Sequence, residues 1–338
     1  MLGQSGLRLS LLLPFLLALL GIPGAAQSGD DVHIVPTPRP EISPAREDSL
    51  EVRLKPVRVD VSLVVVPVMV TDAKGSPVTD LGRDDFQLFE GEQLQKVRYF
   101  YSEDAPISVG LIVDMSGSMG NKIARVREAV DEFFNLADPA DDYFVITFSD
   151  RPKLLADTTQ STDTVEAKLD QMQAKGGTAL ADAIYAGLHK LNSAFYRRKA
   201  LVIISDGGDN SSRHSLRSVK NLAKESDAEI YAIDVCDAPG LLLTKRLEEK
   251  FGKQWLTQVT EVTGGRTLTV DNAAKIPEAA AQVSRELRNQ YVLAFRPTSM
   301  DGGWRKLKVK VAQTGAELPY QVYYRSGYLA RKEGEQGK

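Results

Sequence analysis

The sequence predicts an α/β protein, a doubly wound and mostly parallel sheet that carries a small β-sheet or sandwich module. Three observations lead there. Short continuous apolar runs such as "ISVGLIV" and "ALVIIS" alternate with amphipathic helical segments between residues 107 and 288. That alternation is the mark of strands covered on both faces by helices. β-rich segments lie on either side, at 57–101 and 290–329, the first of them rich in valine. Neither flank is long enough to bury a core alone, so the economical arrangement pairs them, with the α/β unit inserted between them.

Taken in order, the chain starts with Arg8 ahead of "LSLLLPFLLALLGIPGAAQ". A basic residue, an apolar run and the small residues Gly24-Ala25-Ala26 form a leader-peptide pattern over 1–26. The run is shorter than the ~20 apolar residues that span a bilayer, so contact with a membrane would come only through an uncleaved leader. Residues 27–56 hold Pro36, Pro38, Pro40 and Pro44 among polar groups without periodicity and read as a linker. The β-rich N-terminal flank is 57–104. It starts with alternating Val57, Val59, Val61 and Leu63, turns at "DAKGSPV", and folds "DFQLFEGEQLQKVRYFY" into a hairpin around Glu90-Gly91.

The α/β domain spans 105–288. Its first strand, "ISVGLIV", leads to a helix with Ile123, Val126, Val130, Phe133 and Ala137 at steps of three and four. "YFVITFS" is a strand, and "TDTVEAKLDQM" is a helix. "ALADAIYAGLHKL" is a helix with Leu180, Ala183, Ile184, Gly187, Leu188 and Leu191 on one face. The strand "ALVIIS", the helix "SLRSVKNLAKESD", the strand "EIYAIDV", the helix "EEKFGKQWLTQVTEVTGG", the strand "RTLTV" and the helix "IPEAAAQVSRELRNQ" follow. The C-terminal flank, 289–330, returns to strands at "YVLAFRP", "RKLKVKV" and "YQVYYRSGYL". Residues 331–338 read as a disordered tail.

The oxygen-bearing residues cluster at predicted strand ends. In an open parallel sheet, ligands bind beyond the carboxyl ends of the strands, where strand order reverses. Asp114 ends one buried strand and is followed by Ser116 and Ser118. Asp206 directly follows another. Thr178 follows two glycines and precedes a helix. This set holds oxygen alone, which suits a hard divalent cation, Mg²⁺ first, with Mn²⁺ and Ca²⁺ as alternatives. Glycines 117, 177 and 207 suit tight loops around it.

The pattern Asp-Met-Ser-Gly-Ser at 114–118, Gly-Gly-Thr at 176–178 and Ser-Asp-Gly at 205–207 resembles the von Willebrand factor A domain, a Rossmann-like fold, with its metal-ion-dependent adhesion site. The resemblance covers about residues 105–285 and matches at all five positions. The flanking "VPVMVTDAKGSPVTDLGRDDFQLFEGEQLQKV" and "YVLAFRPTSMDGGWRKLKVKV" resemble an exported bacterial family of A-domain-related proteins. The resemblance implies that Ser116, Ser118 and Thr178 bind the metal directly and that Asp114 and Asp206 often act through water. Neutral hydroxyls then leave the cation short of negative charge, and a partner's Glu or Asp would supply it.

Other chemistries find little in the chain. Lys+Arg is 42 against Asp+Glu 45, a net charge of −3, so no basic excess favours nucleic acid. The three histidines, His33, His189 and His214, lack metal-ligand spacing. G-x-S-x-G is absent, "GSMGNK" lacks the Gly-Lys-Ser/Thr ending of a phosphate loop, and the dinucleotide glycine fingerprint is missing. The single cysteine, Cys236, excludes an intrachain disulfide and reads as a buried thiol closing a strand. The expectation is an exported, non-enzymatic, metal-dependent protein-binding module, periplasmic or extracellular. The alternative is a structural or assembly subunit of an envelope complex whose contacts are made by the β flanks.

Overall fold

A computed structural model describes residues 63–102, 105–159, 161–236, 243–312 and 320–331, the side chains of 243–250 excepted. The leader read in 1–26, the linker in 27–56, the strand start at 57–62 and residues 332–338 lie outside the described residues. So do 103–104, 160, 237–242 and 313–319.

The strand and helix runs form where their periods require. In the N-terminal flank, β1 is Val64–Thr71, and β2 (Phe86–Glu90) and β3 (Gln93–Gln95) form the hairpin around Gly91. The short β4 (Tyr99–Tyr101) follows. The α/β unit then runs β5 (Ser108–Asp114), α1 (Ile123–Asn135), β6 (Asp142–Phe148), β7 (Pro152–Thr159), α2 (Thr162–Asp170) and α3 (Leu180–Asn192). It continues through β8 (Lys199–Ser205), α4 (Leu216–Glu225), β9 (Glu229–Val235), α5 (Leu243–Thr263), β10 (Thr267–Val270) and α6 (Ile276–Arg288). The C-terminal flank adds β11 (Tyr291–Phe295), β12 (Trp304–Val311), β13 (Gln321–Tyr324) and β14 (Gly327–Leu329).

The central sheet has the order β10-β9-β8-β5-β6-β7, parallel except for β7. Every residue of β5, β6 and β9 is buried, as continuous apolar runs demand. Alternate residues serve opposite faces. Leu111 and Val113 pack toward Val126, Val130 and Phe133 of α1 and Val283 of α6. Ile112 packs toward Ile184 and Leu188 of α3 and Leu256 of α5. Each such fully buried side chain contributes about 1.5–3 kcal/mol. From β5 the chain passes to β6 on one side and later returns to β8 on the other. The order therefore reverses between β5 and β8, and the crevice there is the expected ligand position.

Strands from both flanks interleave in two antiparallel sheets, β13-β1-β11-β4 and β14-β12-β2-β3. One apolar core joins them, with Val66, Val68, Leu293 and Phe295 from the first sheet and Leu88, Leu307 and Val309 from the second.

Three local expectations need correction. The sequence predicts no strand at 152–159. β7 pairs antiparallel with β6 through a register irregularity and is half exposed, so as an outer edge strand it carries no clean apolar period. "YQVYYRSGYL" is two strands. β13 pairs with β1 and β14 with β12. The chain changes sheets at Arg325-Ser326, where the Ser326 N–H donates to the Val262 carbonyl at 3.3 Å. Cys236, expected as a buried thiol closing the strand, is half-buried one residue past the end of β9.

Candidate metal-ion site

Asp114 is the last residue of β5 and is fully buried. Its Oδ1 accepts the Ser116 backbone N–H at 2.8 Å, and its Oδ2 accepts the Ser205 hydroxyl at 2.6 Å. The short Asx-type turn lifts Ser116 and Ser118 over the strand end, with their Oγ atoms 3.1 Å apart. Ser116 is buried and Ser118 is exposed, so the group grades from the core to solvent. Burial first, then the nearby Asp206 charge, pushes the Asp114 carboxyl up to about 6, against hydrogen bonds from Ser116 and Ser205 that lower it.

The second loop reaches the first through its backbone. The Gly117 N–H donates to the Gly176 carbonyl at 3.0 Å, and the Lys175 N–H donates to the Met115 carbonyl at 2.8 Å. Gly176 adopts φ 88°, which only glycine takes without strain. The Gly177 N–H is held by Asp150 Oδ1 at 2.7 Å. Thr178 follows at 5% exposure, two residues before α3.

The third loop leaves β8 at Ser205 and carries Asp206. Gly207, at φ 77°, backs onto Gly252 of α5, whose own Cβ position would lie 2.2 Å from the Gly207 carbonyl oxygen. Two glycines thus let this loop lie against a helix. The Thr178 N–H donates to Asn210 Oδ1 at 2.9 Å, and the Asn210 and Ser211 N–H groups return to the Thr178 carbonyl at 2.9 and 3.0 Å. Asp209 and Ser212 accept the N–H groups of Ala181 and Asp182 at 3.1 Å each, capping the start of α3. A Cβ built on Gly208 would lie 3.4 Å from Asp206 Oδ1 and 3.8 Å from Thr178 Oγ1, so these two oxygens face one small space.

The three loops that carry Asp114, Ser116, Ser118, Thr178 and Asp206 therefore meet over the β5/β8 switch point. The donor set is chemically suited to a hard divalent ion, with hydroxyl oxygens beside two carboxylates close enough to oppose each other's charge. Among the described residues, no group of three or more His, Cys, Asp or Glu side chains is arranged to hold a metal. Hydroxyls would have to supply much of the shell.

Several residues of this region escaped the sequence reading. Ser205 anchors Asp114, and its signal was a hydroxyl closing an apolar strand directly before an aspartate. Asn210 and Asp150 act through loop contacts, which carry no sequence period. Lys122 lies 3.9 Å from Asp206 through Nζ and Oδ2, and its signal was a cation at a helix N-terminus. His214 hydrogen-bonds Asp182 Oδ1 through Nδ1 at 2.7 Å and stacks on Tyr185 at 3.8 Å. The Ser116 hydroxyl hydrogen-bonds Ser118 Oγ at 3.1 Å.

A doubly wound α/β domain with an oxygen-lined crevice at its switch point defines the class. The sequence model of the von Willebrand factor type A domain matches residues 109–208, and the chain contains a von Willebrand factor A domain. The human inter-alpha-trypsin inhibitor heavy chain H4 is 27% identical over 153 residues, 40% of this chain and 16% of that protein. The bovine protein is 31% identical over 107 residues, 29% of this chain and 12% of its own length. The chain thus spans only a small part of these curated relatives. The von Willebrand factor type A structure from Catenulispora acidiphila has a TM-score of 0.46 at 12% identity, covering 72% of this chain and 74% of that one. Domains of this type commonly serve as protein-interaction modules.

Proposed function

We propose that this protein is a divalent-cation-dependent, non-enzymatic protein-binding module whose partner offers a Glu or Asp side chain. The observation that carries this reading is the convergence of Ser116, Ser118 and Thr178 with Asp114 and Asp206 over one crevice. Ser116, Ser118 and Thr178 would hold the ion, and Asp114 and Asp206 would orient its outer shell. The bound ion, Mg²⁺ first by its preference for oxygen, would act as a Lewis-acidic anchor for an oxygen anion. The chain's own residues do the rest. Asp114 fixes the Ser116 backbone, the Asn210–Thr178 hydrogen bonds aim the second loop, and exposed Ser118 leaves one side open to a partner.

Mg²⁺ or Mn²⁺ should raise the melting temperature by mass action, about 2.7 kcal/mol at a hundred times the dissociation constant. Asp114→Ala and Thr178→Ala should each abolish that shift. Wild-type melting that ignores both metal and chelator would refute the site.

The leader pattern at 1–26 supports action outside the cytoplasm. Mass spectrometry of the exported protein should find its N-terminus at Gln27 or within a residue or two, and an intact Met1 would make the segment an anchor. No helix among the described residues is long and apolar enough to cross a membrane.

A further inference from the structure

His214 sits in a socket on α3 that the metal-site reading leaves unused. Asp182 and Tyr185 lie three positions apart on that helix and so share one face of it. Asp182 Oδ1 lies 2.7 Å from His214 Nδ1. An ionised carboxylate can only accept, so Nδ1 carries the hydrogen. The same oxygen accepts the backbone N–H groups of His214 at 2.8 Å and of Arg213 at 3.0 Å. Burial alone would raise the Asp182 carboxyl, but these bonds bring it below its ordinary value. The imidazole stacks on the Tyr185 ring, with centroids 3.8 Å apart and planes at 15°. The loop that the socket grips at His214 starts at Asp206. Between the two, Asn210 and Ser211 donate to the Thr178 carbonyl, Asp209 accepts the Ala181 N–H, and Ser212 accepts the Asp182 N–H. A Cβ built on Gly177 would lie 2.4 Å from Ser211 Oγ and 2.9 Å from Asn210 Oδ1, so the second and third loops touch with no room for a side chain.

We propose that Asp182 is a positioning residue of the metal site. Through His214 it pins the far end of the Asp206 loop to α3, and so keeps Asp206 and Thr178 facing one space. The inference rests on the metal-site reading above. Helix α3 starts two residues after Thr178, so it carries Thr178 at its start and the socket within its first two turns. A shift of the third loop along α3 would therefore move Asp206 relative to Thr178. The described hydrogen bonds of the Asp182 carboxylate all go to Arg213 and His214, so it acts through the loop. With the socket closed, folding has already ordered the ligands. With the socket open, ion binding would have to order them, and affinity falls by that entropy.

Two measurements test the socket. The first is hydrogen exchange in metal-free protein. Asp182→Ala should speed exchange at the Asn210 and Ser211 amides, which donate to the Thr178 carbonyl. The second is the affinity for Mn²⁺ alone, followed by the electron spin resonance of the free ion. Asp182→Ala should lose about tenfold, the lower end of what removing an outer support costs a metal site. Asp182→Asn keeps Oδ1 as an acceptor and should stay close to the wild type in both measurements. His214→Ala removes the ring and leaves the backbone donors, so it should fall between the two. Thermal melts report folding, and His214→Ala carries the test if Asp182→Ala does not fold. Unchanged Mn²⁺ affinity in the folded variant makes the socket a support of the fold alone and overturns the proposal. Exchange that stays slow at Asn210 and Ser211 overturns it equally. A loss in Asp182→Asn as large as in Asp182→Ala would assign the effect to charge instead of position, and also overturns it. A wild type that binds no Mn²⁺ overturns the metal site, and this inference with it.

Discussion

The two ends of the parallel sheet answer their buried carboxylates differently. At the amino ends of the strands, Asp141 pairs with Arg288 and accepts the Ile107 N–H and the Tyr143 hydroxyl at 2.9 Å each. Glu286 pairs with Arg266, and Glu229 accepts the Gln290 amide at 2.6 Å. At the carboxyl ends, Asp114 has a serine hydroxyl and a backbone N–H, and Asp206 has the Gly208 N–H and a lysine at 3.9 Å. The first end is closed by two cations and an amide: Arg288 at the end of α6, Arg266 just before β10, and Gln290 just before β11. The second is made of loops whose close donors to Asp114 and Asp206 are a hydroxyl and backbone N–H groups, with the lysine farther off at 3.9 Å. Paired carboxylates hold a fold together, and under-neutralised ones are suited to binding. For Asp114 the difference is one of partners, since it is as buried as Asp141 and Glu286, whereas Asp206 is half-buried.

The largest effect separating the ends should come from Arg266→Leu. It would strand Glu286, which is fully buried, without its cation. A loss of about 3–5 kcal/mol is expected from breaking such a pair, read as a lower urea midpoint. A change below about 1 kcal/mol would mean that the ion pair is no better than a surface one.

A smaller effect is expected from Glu229. Burial pushes this acid up to about 7, against lowering by the Gln290 hydrogen bond and the charges of Arg198 and Arg325. The folded chain therefore favours the neutral acid. Its contribution is complete below the ordinary glutamate value and is lost as pH rises through about 7. Between pH 5 and 8, wild type should lose on the order of 2 kcal/mol relative to Glu229→Gln. Parallel stability curves for the two proteins would show that Glu229 is already ionised in the fold.

The smallest effect on folding belongs to the other end. Thr178→Ala in metal-free protein should cost at most about 1 kcal/mol, the net worth of one hydroxyl hydrogen bond, since its described hydrogen bonds run through the backbone, while the rise in melting temperature expected with metal should disappear. If its folding cost instead rivals that of Arg266→Leu, the loop end is structural and the contrast between the two ends fails.

Much of the α/β unit was legible because its signals are local. A fully buried strand must be apolar along its whole length, and an amphipathic helix must repeat at three and four. Both rules pick out β5, β8, α1 and α3 from the residues alone. β7 was not legible, since an exposed edge strand has no face that must be apolar. The break at Arg325-Ser326 was not legible either. β13 and β14 read as one alternating strand, and only their separate partners, β1 and β12, divide them. The sequence also pointed to the five candidate site residues, through oxygen-bearing side chains just after apolar strands at Asp114, Ser116, Ser118 and Asp206 and a threonine after two glycines at Thr178. Their supports were hidden. Asn210 reaches Thr178 across 32 positions and Ser205 reaches Asp114 across 91.

Sequence by itself determined the fold class, the inserted order of flank, α/β unit and flank, and the chemical type of the candidate ligands. Those follow from periodicity and side-chain chemistry, which belong to each segment alone. Tertiary structure decided which strands of the flanks pair and which loops meet. It also decided that Asp114 is buried while Ser118 is open, and that Lys122 lies against Asp206. These depend on distances between segments far apart in the chain, set by the packing of both sheet faces, and no local pattern encodes them.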